Sequence, residues 1–565
     1  MSSNNIIVQE YLSSLKEDKE LDYLFPILLN AMGYRIIQTA KESKGQSQYG
    51  KDIIAVGKDD TGKKFKWYFE LKGYQDRDIT DLNYSSKDGI RESIIEAKDT
   101  AFKDCSIPVL NDLPTKIVIV HNGVLKSNIR PTFDGFISRE FKEGEFERWD
   151  IYQLTDLFSK YIFSEYLLAD NESNRLFKRT LVFLDAVDYN FIDFKQLVEI
   201  QFEKTIKIKG RTLQKLFATL NLLSSIIFHY SKENNNLIAA KECSSFIVLK
   251  TWAWILKNRY EKKRIIIKEF KKLLNTQYLI YNAYFKKTFP IASIENGLFS
   301  ENGTFFESVG YPLRCFDYVS DLIYYCQLRI FFSNSFKIKQ ITELIRNKQK
   351  DKIIELINNN RGCLRPILDN HSIPILQLFL FFSDRKDLRQ KDVDFITAYI
   401  FGIIDGLLII KTRRGRLPEL YNRINLVIEF SATKIRPEEY CDESSMLISI
   451  ILEILCIFNA KNSYEIFKNH LTEKINLQIA HPNFKDFDIE QEMFEHHMDE
   501  EYYVESFSQL PESFEEFKIK VKSKEFTIHN YRTDKEGFSL LRTLAHSYYK
   551  NEIFPDEWRR IISET

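Results

Sequence analysis

Paired cysteines are what this chain most plainly lacks. It has seven in 565 residues, at positions 105, 243, 315, 326, 363, 441 and 456, and no two stand in a Cys-x-x-Cys spacing. That excludes a zinc ribbon or a disulfide frame and suits a reducing, cytoplasmic setting. Net charge is missing too. Its 80 Lys and Arg balance 80 Asp and Glu, so no whole-chain field announces a polyanion binder, and nucleic-acid contacts would have to come from local patches. Long apolar runs are absent. The richest, Met446 to Phe458, is interrupted by Ser449 and Glu453 and reads as a buried helix, so no membrane partner is expected. The opening Met-Ser-Ser-Asn-Asn carries neither a basic stretch nor an apolar one, and no secretory leader is expected. No fixed repeat period emerges. The length allows two to four domains.

What is present is concentrated between residues 50 and 73. Gly50-Lys-Asp-Ile-Ile-Ala-Val56 is followed by a polar turn, then by Lys64-Phe-Lys-Trp-Tyr-Phe-Glu-Leu-Lys-Gly73. In the second segment Phe65, Trp67, Phe69 and Leu71 alternate with Lys66, Tyr68, Glu70 and Lys72. A strand sends alternate side chains to opposite faces, so Glu70 and Lys72 share one face. Ile53 to Val56 reads as a short strand opened by Asp52, and Gly57 to Gly62 has the composition of a hairpin loop. The hairpin would set Asp52 beside Glu70. Two carboxylates and an ammonium group together make a candidate hard-cation site with a lysine near water or phosphate. Glu-x-Lys by itself says little, since it recurs at Glu17/Lys19, Glu140/Lys142, Glu269/Lys271 and Glu516/Lys518. A charged strand face with an incidental Asp is the competing description.

The surroundings add an order of elements. Leu21 to Met32 reads as an amphipathic helix with Gly33 as its left-handed cap. Tyr34 to Gln38 reads as a strand, Lys87 to Lys103 as a helix, Lys116 to Val120 as a buried strand, and Arg130 to Phe141 as a helix. Glu147 to Tyr152 reads as a last strand before a helix through Tyr161. Such an order suits an α/β domain with a mixed central sheet flanked by helices.

Over residues 20 to about 160 these features resemble the restriction-endonuclease-like fold of the PD-(D/E)xK nuclease superfamily, and most its Mrr-type branch. The resemblance rests on the helix ending in Gly33-Tyr34, on Gly50-Lys51-Asp52-Ile53, on Phe69-Glu70-Leu71-Lys72-Gly73, on Ile117-Val-Ile-Val-His-Asn-Gly123, and on Arg148-Trp-Asp-Ile before a terminal helix. It implies catalytic roles for Asp52, Glu70 and Lys72. Mg2+ or Mn2+ would be held by Asp52, Glu70 and the Leu71 carbonyl, with Lys72 against the attacking water. Asp22 stands where the branch usually has a Glu on its first helix and is the further candidate ligand. No Pro-Asp dipeptide precedes the metal aspartate. The resemblance implies a DNA endonuclease of prokaryotic restriction or anti-phage defence. The alternative is a catalytically idle nuclease fold that serves as a DNA-binding or assembly subunit.

Beyond Ser164 the texture changes. Ala169 to Asn174 is a polar break, and helical periodicity then runs almost to the end, as in Arg211–Tyr230, Ala239–Leu274, Tyr318–Phe331, Ile341–Ile357, Val393–Ile410 and Ser444–Phe458. The expected layout is a nuclease-like domain over 1–165, a helical domain over 166–300 and a second over 301–565, with the irregular Phe289–Pro312 between the helical parts. The C-terminal region is expected to be all-α, to sense, recruit or restrain the nuclease, and to offer a surface for a partner protein or a second copy. No nucleic-acid-binding residues can be assigned there. Basic Tyr260–Lys272 and Lys411–Arg416 read first as a solvated helix face and a helix C-cap. Acidic Asp486–Glu516, with His496-His497, reads as an exposed loop before it reads as a metal site. Arg542/His546 and Arg365/His371 are the nearest approaches to the Arg-and-His pattern of HEPN-type RNases. The first pair is too closely spaced, and Pro366 interrupts the second.

Overall fold

The computed structural model describes residues 3–563 except for 40–48, 74–75, 88, 104–107, 163–167, 169, 187–188, 206–209, 334–338, 384–387, 471–474, 499–500, 508–512 and 524–528. The chain divides into two compact units, residues 1–247 with 268–276, and residues 248–267 with 277–565. The first therefore extends well past residue 165. The polar stretch at Asp170 is a helix start, with Asp170 accepting from the Ser173 N–H at 2.8 Å. Tyr23 ties that helix to the N-terminal part by donating to Asn171 at 2.7 Å. Ala169 lies outside the described residues.

A mixed five-stranded sheet forms the centre of the first unit: β1 Arg35–Gln38, β2 Ile53–Lys58, β3 Lys64–Lys72, β4 Thr115–His121 and β5 Phe146–Trp149, in that spatial order. The first three are antiparallel, and β3, β4 and β5 run parallel. The reason is local. Between β2 and β3 Asp59 accepts from the Thr61 and Lys63 N–H groups and Gly62 adopts φ +82°, so a tight hairpin forms. The later strands are joined by helices Ile90–Asp99 and Arg130–Glu140, as parallel strands require.

Alternation along β3 divides the sheet into two faces. Trp67, Phe69 and Leu71 are at most 1% exposed and meet helix Asp22–Ala31, with Phe25 5.2 Å from Phe69 between ring centroids and 5.9 Å from Trp149. That helix ends as its sequence requires. Gly33 sits at φ +85°, and the Tyr34 and Gly33 N–H groups donate to Leu29 and Asn30, a paired closure that glycine makes easy. On the opposite face Ile54, Tyr68 and Ile117 pack with Ala97, while Ile119 packs with Ile94, Phe133 and Phe136. Glu70 and Lys72 belong to this second face, at the end where the apolar packing stops.

The second unit is mostly helical, with long helices Glu307–Ser333, Lys339–Asn359 and Gln390–Arg414. It is not all-α. A three-stranded sheet joins β6 Ser444–Ser445, β7 Asn476–Pro482 and β8 Tyr502–Phe507. Strand β8 falls within the acidic stretch expected to be a loop, where the charge of the neighbouring residues masks a short alternating segment. Helix Arg264–Ala292 runs through Phe289 and Pro290, and helix Glu307–Ser333 contains Pro312, so the irregular stretch is shorter than its composition suggests.

Gln390–Arg414 contains an 18-residue stretch of mean hydropathy 2.0, long and apolar enough to cross a membrane. Its Ile396, Ile400, Ile403 and Leu407 are buried. Its Asp392 accepts from the fully buried Lys350 at 3.1 Å.

Candidate active site

Asp52 sits one residue before β2, and its N–H donates to the Phe69 carbonyl at 2.9 Å. Since Ile53 pairs with Phe69, that bond carries the ladder one step on and sets Asp52 across from Glu70. The Asp52 Oδ2 accepts from the Leu71 N–H at 2.7 Å. Lys72 Nζ lies 2.6 Å from Glu70 Oε1, with both side chains mostly buried. The hairpin thus brings together Asp52, Glu70 and Lys72, with Leu71 joined through its backbone.

The approach to Asp52 is held tightly. Tyr49 and Gly50 both have positive φ, at 48° and 67°. A Cβ on Gly50 would stand 1.9 Å from the Ser93 carbonyl oxygen, so helix Ile90–Asp99 passes where only glycine fits. Lys51 is buried, with its ammonium 5.1 Å from the Tyr68 ring centre. Burial lowers its pKa to about 8, although Glu96 and Glu70 oppose the shift.

A fourth charged group comes from the N-terminal helices. Between helix Ser3–Ser14 and helix Asp22–Ala31 lies one wide turn, Glu17–Leu21, closed by the Leu21 N–H on the Lys16 carbonyl at 2.9 Å. Such single wide turns often mark functional sites. It directs Glu17 at the end of β3, where Glu17 Oε2 accepts from the Gly73 N–H at 3.2 Å. A Cβ on Gly73 would lie 2.8 Å from the Glu17 nitrogen, so this approach also depends on glycine. Asp22, the acid singled out from the sequence, begins the next helix. Glu17 is among the groups that set the charge of Lys72 and Asp52. The signal was present as the Glu17/Lys19 pair and could not be separated from its other copies.

The electrostatics follow from three acids around one ammonium. Burial, reinforced by Glu70, pushes the Asp52 carboxyl well above the usual carboxylate range against the Leu71 N–H and Lys72. Burial also raises Glu17, against Lys72 and the Gly73 N–H. For Lys72 burial opposes the charge, but Glu70, Glu17 and Asp52 outweigh it and hold the ammonium above its ordinary value. Beside Lys72, across the parallel ladder, stands His121. Burial lowers its pKa to about 4, so it is neutral near pH 7. Its Nε2 meets Arg148 at 3.4 Å, and its Nδ1 meets the Arg77 carbonyl at 2.9 Å. Arginine only donates and a carbonyl only accepts, which assigns the proton to Nδ1. His121 is therefore wall, not base.

The other sequence candidates are placed elsewhere. Glu492, His496 and Glu501 bring ligand atoms within 4.8 Å of one another, with His496 Nε2 2.8 Å from Glu501. His497 contacts the Tyr549 carbonyl instead. In the basic stretch Lys272 lies 2.6 Å from Glu10 and 3.0 Å from Glu269. Gly415 caps its helix at φ +64°, and Arg416 is buried, bonded to the Val427 carbonyl and Ser431. His371 is buried against Phe316, which removes it from any catalytic pairing with Arg365. Comparison with family models, with curated proteins and with solved structures finds no match to this chain.

Proposed function

We propose that this chain is a metal-dependent endonuclease that hydrolyses phosphodiester bonds of DNA in prokaryotic restriction or anti-phage defence, with its helical unit as the regulatory part. The observation that carries the reading is the convergence of Asp52, Glu70 and Lys72 on one end of a hairpin, at 2.7 Å and 2.6 Å from their partners. The order of helices and strands around the mixed sheet supports a restriction-endonuclease-like domain.

The donor set fits a hard cation. Asp52 and Glu70 offer carboxylate oxygens, Glu17 a third, and the Leu71 carbonyl is the further ligand the resemblance implies; oxygen-only sets suit Mg2+ or Mn2+. Such an ion supplies a lowered water pKa and charge neutralisation at phosphoryl oxygens. The residues do the rest. Asp52 and Glu70 hold ligand oxygens on rigid strand ends. Lys72 places a permanent positive charge where negative charge grows on the phosphate. Lys72 is counter-ion to Glu70 at 2.6 Å, and its ammonium would turn to the phosphate where Glu70 serves as a ligand. Glu17 steadies the lysine and the Gly73 backbone.

Full-length protein should nick supercoiled plasmid as Mg2+ or Mn2+ is titrated, and EDTA should stop it. Calorimetry should show Mn2+ binding that Glu70→Ala removes. A folded chain whose divalent-ion binding is untouched by Glu70→Ala overturns the reading.

A further inference from the structure

Eight positions of the second unit, Lys257 to Arg264, hold five cations. They join helix Leu237–Lys257 to helix Arg264–Ala292. Lys257, Arg259, Lys262, Lys263 and Arg264 are all exposed. The one acid among them, Glu261, is 8% exposed. From sequence alone the stretch reads as a solvated helix face. In the fold it is a turn between two helix ends, with its cations facing water and its carboxylate buried.

The helix ends do not account for these charges. The first helix closes with the Tyr260 N–H on the Ile255 carbonyl at 2.9 Å and the Arg259 N–H on the Leu256 carbonyl at 3.0 Å. Arg259 sits there at φ +56°, the left-handed place where glycine is the ordinary residue. Cations suit a helix C-terminus, but Arg532 already takes that part, donating to the Leu256 carbonyl at 3.1 Å and to Asp488 at 2.8 Å. Arg259 reaches Asp488 only at 3.7 Å, and its side chain stays 68% exposed. The second helix begins against its own dipole. Lys263 is its N-cap and Arg264 its first residue, its first turn holds no acid, and no side chain caps it. An ammonium group has no acceptor to offer the first-turn N–H groups, and the positive end of a helix repels cations.

Partners inside the protein do not account for the charges either. Among the described residues the side chains of Lys257, Lys262 and Arg264 form no ion pair or hydrogen bond, and Lys263 lies over the Tyr260 ring, 3.8 Å from its centre. Like charges gathered this way repel one another, and an outside anion would relieve them. The other basic stretch is a contrast. Lys411, Arg413 and Arg414 stand in the last turn of their helix, where the dipole favours them.

We infer that the Lys257–Arg264 turn is a nucleic-acid interface that holds the phosphate backbone of double-stranded DNA. Phosphate oxygens would answer these cations and the uncapped N–H groups of the second helix together. The choice of DNA rests on the proposed endonuclease function, and the anionic backbone rests on the turn itself. A bilayer surface fits less well. Ile265, 67% exposed, is the single exposed apolar side chain from Lys257 to Ile265, too little to enter lipid. Contacts to phosphate add affinity and position without sequence preference.

Fluorescence polarisation of a labelled DNA duplex, with the full chain in EDTA, reads this surface without cleavage. Wild type should bind, and the logarithm of its affinity should fall linearly with the logarithm of salt concentration. Lys262→Gln/Lys263→Gln/Arg264→Gln should weaken binding about tenfold or more, equally on duplexes of different sequence, and reduce the salt slope by about two to three. Its melting temperature should hold or rise, since cations leave a helix N-terminus. Lys411→Gln/Arg413→Gln/Arg414→Gln, the same change of charge at the other stretch, should weaken binding by less than about threefold. Where the first triple variant does not fold, Lys262→Gln alone should reduce the slope by about one. Absence of binding by wild type overturns the inference, as does a variant of the turn that keeps the wild-type slope. So does an equal loss in the second triple variant, which would mark net charge alone, and so does tighter binding to phosphatidylserine vesicles than to duplex, which would mark a lipid surface. Asp52 and Glu70 are tested by Mn2+ binding and this turn by DNA binding without metal, so the two readings fail separately.

Discussion

Two groups of carboxylates in this chain could attract a cation, and they are held in different ways. Glu492, His496 and Glu501 come close together, but the His496 side chain is 46% exposed, and the group contains no cation to answer a phosphate. Around Lys72, Glu70 is buried and Asp52 and Glu17 are partly buried, and the last two are fixed by backbone N–H groups, those of Leu71 and Gly73. Proximity of ligand atoms is common on acidic surfaces. Burial with backbone anchoring is costly, because each charge must be stripped of water. The contrast teaches that two clusters with equally close oxygens can differ in how firmly the backbone holds them, and the proposed function rests on the anchored one.

The largest expected effect separates the two directly. Asp52→Ala or Glu70→Ala should abolish Mg2+-dependent plasmid cleavage, a loss of about a thousandfold or more, while Glu492→Ala should leave the rate within error. Cleavage lost in the Glu492 variant and retained in the Glu70 variant would reverse the assignment. Next in size, Lys72→Ala should slow cleavage by about two to four orders of magnitude with metal affinity kept or raised, because Glu70 loses its competing ammonium. Calorimetric affinity falling as far as in the Glu70 variant would make the lysine a support of the site.

Glu17→Gln should be milder. Its loss removes an orienting group, and metal affinity should drop about ten- to a hundredfold; an equal drop in Asp22→Asn with no change in Glu17→Gln would give that part to Asp22 instead. The smallest effect is on stability. Asp52 and Glu17 have folded pKa values raised above their unfolded ones. The native state therefore binds more protons than the unfolded state from about pH 4 upward. Their contribution is full at low pH and is lost as pH rises through the folded values. Without metal, stability should fall in that window by on the order of 1 kcal/mol per pH unit for each group. Thermal unfolding of wild type against Asp52→Asn, with and without Mg2+, checks this, and Mg2+ should erase the decline. A metal-free wild type whose stability rises through that window would contradict the electrostatics of the site.

Much of the first unit was legible because its signals are local. Strict alternation from Phe65 to Lys72 fixed which side chains share a face. The turn composition of Gly57–Gly62 fixed the hairpin, and Gly33 fixed a helix end. Glu17 was not legible, since its place depends on one wide helical turn and on the absence of a Cβ at Gly73. In the second unit helices were readable from periodicity, but β7 and β8 were not. Their pairing joins residues far apart in the chain, and the acidic neighbours of β8 hide its pattern. The polar break at Asp170 looked like a linker because capping residues and linker residues are the same types.

By itself, the sequence determined the chain's alternations, caps and turns, and with them the meeting of Asp52 with Glu70 and Lys72. Those depend on geometry that repeats every two or four residues and needs nothing distant. The tertiary structure alone decided that Glu17 reaches the Gly73 backbone beside them, and that Ser444–Ser445, Asn476–Pro482 and Tyr502–Phe507 pair into one sheet. Those outcomes depend on burial and on close approach between segments far apart in the chain, and no short stretch of residues encodes either.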